Sequence, residues 1–286
     1  MSWSSHAAGR SAVAVPPMKR RWPAMRAVVI KDLTAIRRSK GVLIPMITVP
    51  GLLLVVLPLL IGLAARNHAA PNVDGILRSV PEGVARPITQ LPEAQRLVVL
   101  VNGYLLAPLF LIVPLMVASV LAADAFAGEK ERSTLESLLH LPISERDLFY
   151  AKVLGAFLPA VLVSWIGFVL FAVVVNTTAW PVMHRVFIPT KLWLVMIVWV
   201  APAVAALGLG VMVRVSARAK STQEANQLGG AVILPLIFLA VGQSTGLLLV
   251  SLPLAVGAGA LVWLVALVLA TGGARRFTRD RMAAAI

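Results

Sequence analysis

The sequence predicts an all-α integral membrane protein with six transmembrane helices, on three observations. Hydrophobic residues make up 59% of the 286-residue chain and charged residues 13%, with a mean hydropathy of +0.89, well outside soluble globular composition. Six apolar runs, at about 42–65, 98–123, 153–175, 192–213, 228–248 and 252–273, are each long enough to cross about 30 Å of hydrocarbon. The Lys and Arg residues alternate between rich and poor connections. Nine precede the first run, four fall in 124–152, three in 214–227 and four after 273, which is twenty against six in 66–97 and 176–191. Cytoplasmic flanks collect these residues, so both termini are expected inside. The same rule accounts for the net charge of +14 without nucleic acid, since no basic patch is interleaved with stacking aromatics. With no cysteine, disulfides and thiolate metal sites are excluded.

Residues 1–21 are small, polar and basic and read as a disordered cytoplasmic tail. From 22 to 40 the pattern becomes amphipathic. Met25, Val28, Val29, Leu33 and Ile36 line one side and Arg26, Lys31, Asp32, Arg37 and Arg38 the rest, which suits a helix lying in the inner membrane interface. After the first span, residues 66–97 carry Pro71, Pro81, Pro87 and Pro92 and predict a small irregular outer cap. Pro92-Glu93 is expected to start the helix of span two.

Between spans two and three lies DAFAGEKERSTLESLLHLPISERDLFYAK, residues 124–152. Ser133-Thr134-Leu135-Glu136 fits a capping box, in which a hydroxyl and a carboxylate satisfy free N–H groups at a helix start. Leu135, Leu138 and Leu139 then share one face of a short helix, and Pro142 stops it. Ser144-Glu145-Arg146-Asp147 offers a second start leading into span three. Such a helix either receives force from a soluble partner or merely caps a surface turn.

The residues EKERSTLESLLHLPIS resemble the segment between the second and third spans of ABC-2-type transporter permeases, in particular the sodium-extrusion-like branch. The matching positions are Asp124, Glu129, Lys130, Glu131, Arg132, Ser133, Thr134, Leu135, Glu136, Leu138, Leu139, Pro142, Ile143, Ser144 and Lys152. Ser133 stands where Gly is common. The resemblance implies a coupling helix seated in a groove on a separate ATPase. The coupling residues would be Glu129, Glu131, Arg132, Thr134, Leu135, Glu136, Leu138, Leu139 and Pro142. It further implies two copies of an ABC ATPase that carry ATP and Mg, and a second permease, identical or related. It places the chain as a multi-pass protein in a bacterial inner (plasma) membrane. Within this segment an exposed i,i+3 pair such as Glu129–Arg132 contributes only a few tenths of a kcal/mol, whereas each buried Leu contributes about 1.5–3 kcal/mol. The leucines are therefore expected to supply docking energy. The charges either orient the partner or stiffen the end of span two.

Downstream, Asn176-Thr177-Thr178 matches the glycosylation triplet, a pattern short enough to arise by chance. In the inner loop before span five, Ser221 is a candidate helix cap with Glu224 three residues on. Spans five and six are nearly continuous and fit either a tight hairpin or a partly re-entrant pair. Residues 275–286 close the chain as a basic cytoplasmic tail, so the six-helix unit covers 41–274.

No catalytic constellation is expected. His6, His68, His140 and His184 are scattered without ligand spacing, and there is no G-x-x-x-x-G-K-(S/T), so the chain is expected to hold no cofactor and not to cradle ATP itself. The six runs contain no Asp, Glu, Lys, Arg or His, which argues against a self-sufficient ion-coupled transporter and for a hydrophobic or amphipathic cargo. Asn102, Tyr104, Ser119, Ser164, Trp165 and Gln243 are the polar or amphipathic candidates for a translocation path, or else for interhelical hydrogen bonds. Pro50, Pro58, Pro108, Pro114, Pro159, Pro202 and Pro235 are candidate kinks. Gly208/Gly210, Gly229/Gly230 and Gly257/Gly259 are candidate close contacts. The expected function is thus the membrane permease of an ATP-driven exporter. The alternatives are an ATP-independent transporter or a membrane anchor recruiting a cytoplasmic partner.

Overall fold

The computed structural model describes residues 23, 26–27, 29–31, 34, 39–67, 73–79, 82–128, 131, 145–219, 221–230 and 252–276. Among them every regular element is helical. Five helices are long and apolar enough to cross a membrane: α1 (Leu43–Arg66), α4 (Glu93–Gly128), α5 (Asp147–Met183 of a helix that starts at Glu145), α6 (Lys191–Ser216) and α8 (Leu252–Gly272, continuing to Arg276). The expected fifth span, 228–248, lies outside the described residues beyond Gly230, as do the tail 1–21 and the closing residues beyond Arg276. Within 22–40, Pro23, Arg26, Ala27, Val29, Ile30, Lys31, Thr34 and Lys40 are described as helical.

The segment expected to form the outer cap is more regular than its prolines suggest. Residues 66–97 contain two short helices, α2 (Asp74–Ser79) and α3 (Glu82–Thr89). Each starts on an acidic residue and ends near Arg78 or Arg86, the arrangement that complements a helix dipole. Val73, Leu77, Ile88, Leu97 and Val98 form a small apolar core with Ala179 and Met183. Arg96 pairs with Asp74 at 2.9 Å and also donates to the Leu91 carbonyl. Helix α4 begins at Glu93 after Pro92, as the sequence predicts.

Helices α4 and α5 extend well past the expected 98–123 and 153–175. At 1.5 Å per residue the 39 residues of Glu145–Met183 span about 58 Å, so the helix projects beyond a 30 Å hydrocarbon layer. It ends where His184, in the left-handed region (φ 52°), donates its N–H to the Trp180 carbonyl, a helix-terminating geometry.

Several spans are wound more loosely just before a proline. π-helical turns occupy Leu52–Val56, Val99–Leu105 and Met196–Val200, just before Pro58, Pro108 and Pro202. A proline removes one backbone donor and crowds the carbonyl four residues earlier, and widening the preceding turn relieves both. Pro159 and Pro181 lie inside α5 without such a turn.

The bundle is organised inside-out relative to a soluble protein. On α5 the buried stripe is Lys152, Ala156, Ala160, Ser164, Phe168, Phe171 and Val175, while Leu154, Leu158, Leu162, Ile166, Val169 and Val173 are exposed. Lipid tails are as apolar as leucine, so the helices associate through close packing and not by hiding large apolar groups. Helices α4 and α6 form the centre, with 72% and 61% of their most apolar windows buried, against 17–33% for α1, α5 and α8. The Ala201–Ser216 half of α6 packs most extensively on Ile112–Ala123 of α4 and on α8. Gly208 permits the first contact. A Cβ there would lie 2.7 Å from Leu115 Cδ1 and 3.3 Å from the Leu115 carbonyl oxygen. Gly210 faces Leu269 of α8 in the same way, whereas Gly257 has open space.

The core is locked by Trp193, fully buried at the outer end of α6. Its ring lies 4.6–5.5 Å from those of Phe110, Phe168 and Phe171. Its indole N–H donates to the Asn102 carbonyl at 2.9 Å.

Gly208→Leu is expected to lower the apparent Tm of the detergent-solubilised chain by several degrees, corresponding to about 1–3 kcal/mol of overpacking. Gly257→Leu should leave it unchanged. In the same assay Trp193→Ala should cost about 3–5 kcal/mol, and Trp193→Phe clearly less, because the aromatic packing survives.

Candidate functional site

The end of the bundle expected to face the cytoplasm, here called the inner end, is built from the close of α4, the start of α5 and a short helix, α7 (Thr222–Gly230). Helix α4 finishes in a π-helical turn, Asp124–Gly128, which widens the ring of terminal carbonyls. Lys152 enters that ring from α5. It is 1% exposed, and its Nζ donates to the Ala125 carbonyl at 2.7 Å while lying 5.6 Å from the centre of the Phe126 ring. A cation at a helix C-terminus and over an aromatic face is favourable on two counts. Phe126 packs on Phe149, and Phe149 on Tyr150, so the Lys152 contact that joins the two helix ends sits beside an aromatic collar. Asp124 is buried in the same region. The apolar runs are free of ionisable groups, yet the helices that contain them carry buried charge at their inner ends.

Of the expected coupling residues, Glu131 is described. Its Oε2 accepts from both the backbone N–H and the hydroxyl of Thr222, each at 2.9 Å. One carboxylate thus satisfies a free N–H group at the start of α7, where the dipole favours negative charge. Beside it, Ser221 Oγ accepts from the Glu224 N–H at 3.1 Å, the N-cap that the Ser221/Glu224 spacing predicts. The first and second inner connections are therefore tied together. Glu129, Arg132, Thr134, Leu135, Glu136, Leu138, Leu139 and Pro142 lie outside the described residues.

The path candidates fall in different environments. Asn102 sits in the π-helical turn of α4, 1% exposed, and both its amide atoms are buried without a hydrogen-bond partner. Ser119 Oγ is likewise unpartnered, against the Gly208 face of α6. Ser164 is buried and bonds back to the Ala160 carbonyl of its own helix. Trp165 reaches across to the Ile197 carbonyl at 3.1 Å. Tyr104 is half-buried, and Gln243 lies outside the described residues. Asn102, Ser119 and Ser164 thus point into the bundle of this single chain. An unpartnered buried amide costs about 1–3 kcal/mol, so Asn102 holds the least comfortable polar group described.

The Asn176 triplet lies within α5 and has a structural task. Its amide donates to the Ile188 carbonyl at 2.7 Å, and its carbonyl oxygen accepts from the N–H groups of Phe187 and Ile188. The side chain thereby fastens the outer turn that leads into α6, where Thr190 caps the next helix. Sequence reading missed this because an asparagine in a turn and one bracing a distant turn look alike in one dimension. Among the described residues no group of three or more His, Asp or Glu could hold a metal ion.

Replacing Glu131 with Ala should speed amide hydrogen exchange at Thr222 about fivefold, the equivalent of about 1 kcal/mol of lost capping. Glu131→Gln should have a smaller effect, and exchange within α6 should not change.

Comparison with known proteins gives one family. The family model described as "ABC-2 family transporter protein" matches residues 26–253. That range includes the 124–152 segment, α1, α4, α5 and α6. No curated protein matches the chain.

Proposed function

Since the chain belongs to the ABC-2 transporter family, a family of membrane transport components that are not themselves catalytic, we propose that it is the permease subunit of an ATP-driven exporter. The observation that carries this reading is the family match across 26–253, most of the chain. The expected crossing of the bilayer is six-fold, with both termini cytoplasmic and residues 22–40 lying in the inner interface of a bacterial inner membrane. ABC-2 permeases normally work with an ATPase subunit. The ATPase is here a separate polypeptide present in two copies, and it carries ATP and Mg. A second permease, identical or related, completes the complex, and the sodium-extrusion-like branch is the expected relative.

In this mechanism the helix expected over 134–141 receives the closing motion of the ATPases. Leu135, Leu138 and Leu139 dock it, and Glu129, Arg132 and Glu136 orient it. Glu131 has a different part. Bound to Thr222, it passes displacement of the coupling segment to α7 and so towards the fifth span, while Lys152 passes it to α5. The cargo is hydrophobic or amphipathic, a reading supported by the absence of ionisable side chains from the apolar runs and by the neutral character of Asn102, Ser119 and Ser164.

The test is affinity purification of the tagged chain in mild detergent. A P-loop ATPase should be recovered in equal amount, and Leu138→Asp combined with Leu139→Asp should abolish that recovery without preventing membrane insertion. Normal association by the double variant would overturn the docking assignment. Recovery of the chain alone, under conditions that keep such complexes intact, would favour an ATP-independent transporter or an anchor.

A further inference from the structure

An apolar cleft of about 70 Å³ lies where the inner halves of α5, α6 and α8 meet. Phe149 and Phe157 of α5, Leu209 of α6, and Trp263, Leu267 and Leu269 of α8 line it. Leu267 is also among the strongly exposed apolar residues of α8, as are Leu264 and Val268. The cleft therefore opens onto an exposed apolar face of α8.

A guanidinium stands at its inner end. Arg214 is half-buried, and its Nη1 donates to the carbonyl of Gly210, itself part of the cleft wall. Its Nη2 reaches α8, where a Cβ on Gly272 would lie only 2.9 Å away. The absence of a side chain at Gly272 leaves the group room to bridge the two helices. Among the described residues Arg214 has no carboxylate partner, although guanidinium offers five N–H donors arranged to hold a phosphate or carboxylate.

We propose that this is a binding site for an anionic phospholipid, with one acyl chain in the cleft and the phosphate on Arg214. The inference rests on the permease orientation proposed above, which puts Arg214 at the anionic cytoplasmic leaflet. Charge and shape select together. A hydrocarbon chain gains little by moving from bilayer to protein, so the cleft fixes position and the guanidinium supplies discrimination between headgroups. Basic pockets between transmembrane helices recognise anionic headgroups on this principle. A bound lipid would satisfy the stranded cation and wedge α8 against α6 beside the Gly210–Leu269 contact.

The experiment uses the full chain, purified without an ATPase and exchanged into mixed micelles of phosphatidylglycerol and phosphatidylcholine with identical chains. Lipid retained through size exclusion is then quantified by mass spectrometry. Phosphatidylglycerol should be enriched about fivefold, the discrimination that one basic residue near an anionic surface supplies. Arg214→Gln should bring the ratio close to one while keeping total lipid. Ala270→Phe, which fills the cleft from α8, should reduce retention of both lipids. Millimolar inorganic phosphate should not displace the lipid, which separates a phospholipid site from a free-phosphate site. Equal retention by the unaltered chain, enrichment that survives both substitutions, or displacement by phosphate would each overturn the proposal. Because the readout needs no partner, its failure leaves the permease reading standing, and failure to recover an ATPase leaves this one standing.

Discussion

The contact on which the described bundle depends most is the indole of Trp193 against Phe110, Phe168 and Phe171, with its N–H on the Asn102 carbonyl. It joins α4, α5 and α6 at one point. In a bilayer, burial of apolar surface does not hold helices together, because the alternative environment is equally apolar. Shape and satisfied polar groups must do so. An aromatic cluster with defined ring geometry provides the first, and an indole donor on a backbone oxygen the second. Lower down the same helices, Gly208 and Gly210 bring α6 close to Leu115 and Leu269, so contact continues without large interlocking side chains.

Helical irregularity is concentrated where the chain has prolines, and the consequences differ between helices. In α1, α4 and α6 the turn before a proline is widened, and in α4 that turn carries Asn102 with its unpartnered amide. Helix α5 keeps an α-helical course through Pro159 and Pro181. α5 thus runs as one uninterrupted α-helix beside three spans with loosened turns. Lys152 fastens the start of that helix to the last carbonyls of α4, and Asn176 fastens its far end to the turn before α6.

The inner connections read as one device. Glu131 of the first meets Thr222 of the second, Ser221 caps the same helix, and Arg214 stands a short distance back along α6. In the proposed mechanism, motion imposed on the 124–152 segment has two routes, through Lys152 to α5 and through Glu131 to α7. Each route passes through a polar contact with a specific geometry, which responds more sharply to displacement than a greasy interface does.

Much of this was legible in one dimension. Apolar runs of spanning length, the imbalance of Lys and Arg, the proline positions, the Pro92-Glu93 start and the Ser221/Glu224 cap all depend on local pattern, and local pattern is what a sequence encodes directly. The 124–152 segment likewise carries the resemblance to ABC-2-type permeases, and the family match across 26–253 shows that family. What only the tertiary structure decided is which polar groups meet. That α4 and α6 lie innermost, that Lys152 bonds to Ala125, that Glu131 caps a helix 91 residues away, and that Asn176 braces a turn instead of lying in a loop follow from the relative placement of helices. Each helix has an apolar surface nearly all round, so periodicity alone does not say which side faces protein and which faces lipid. That choice falls to glycines, aromatic shapes and a few polar side chains, and their partners are set only when the helices pack.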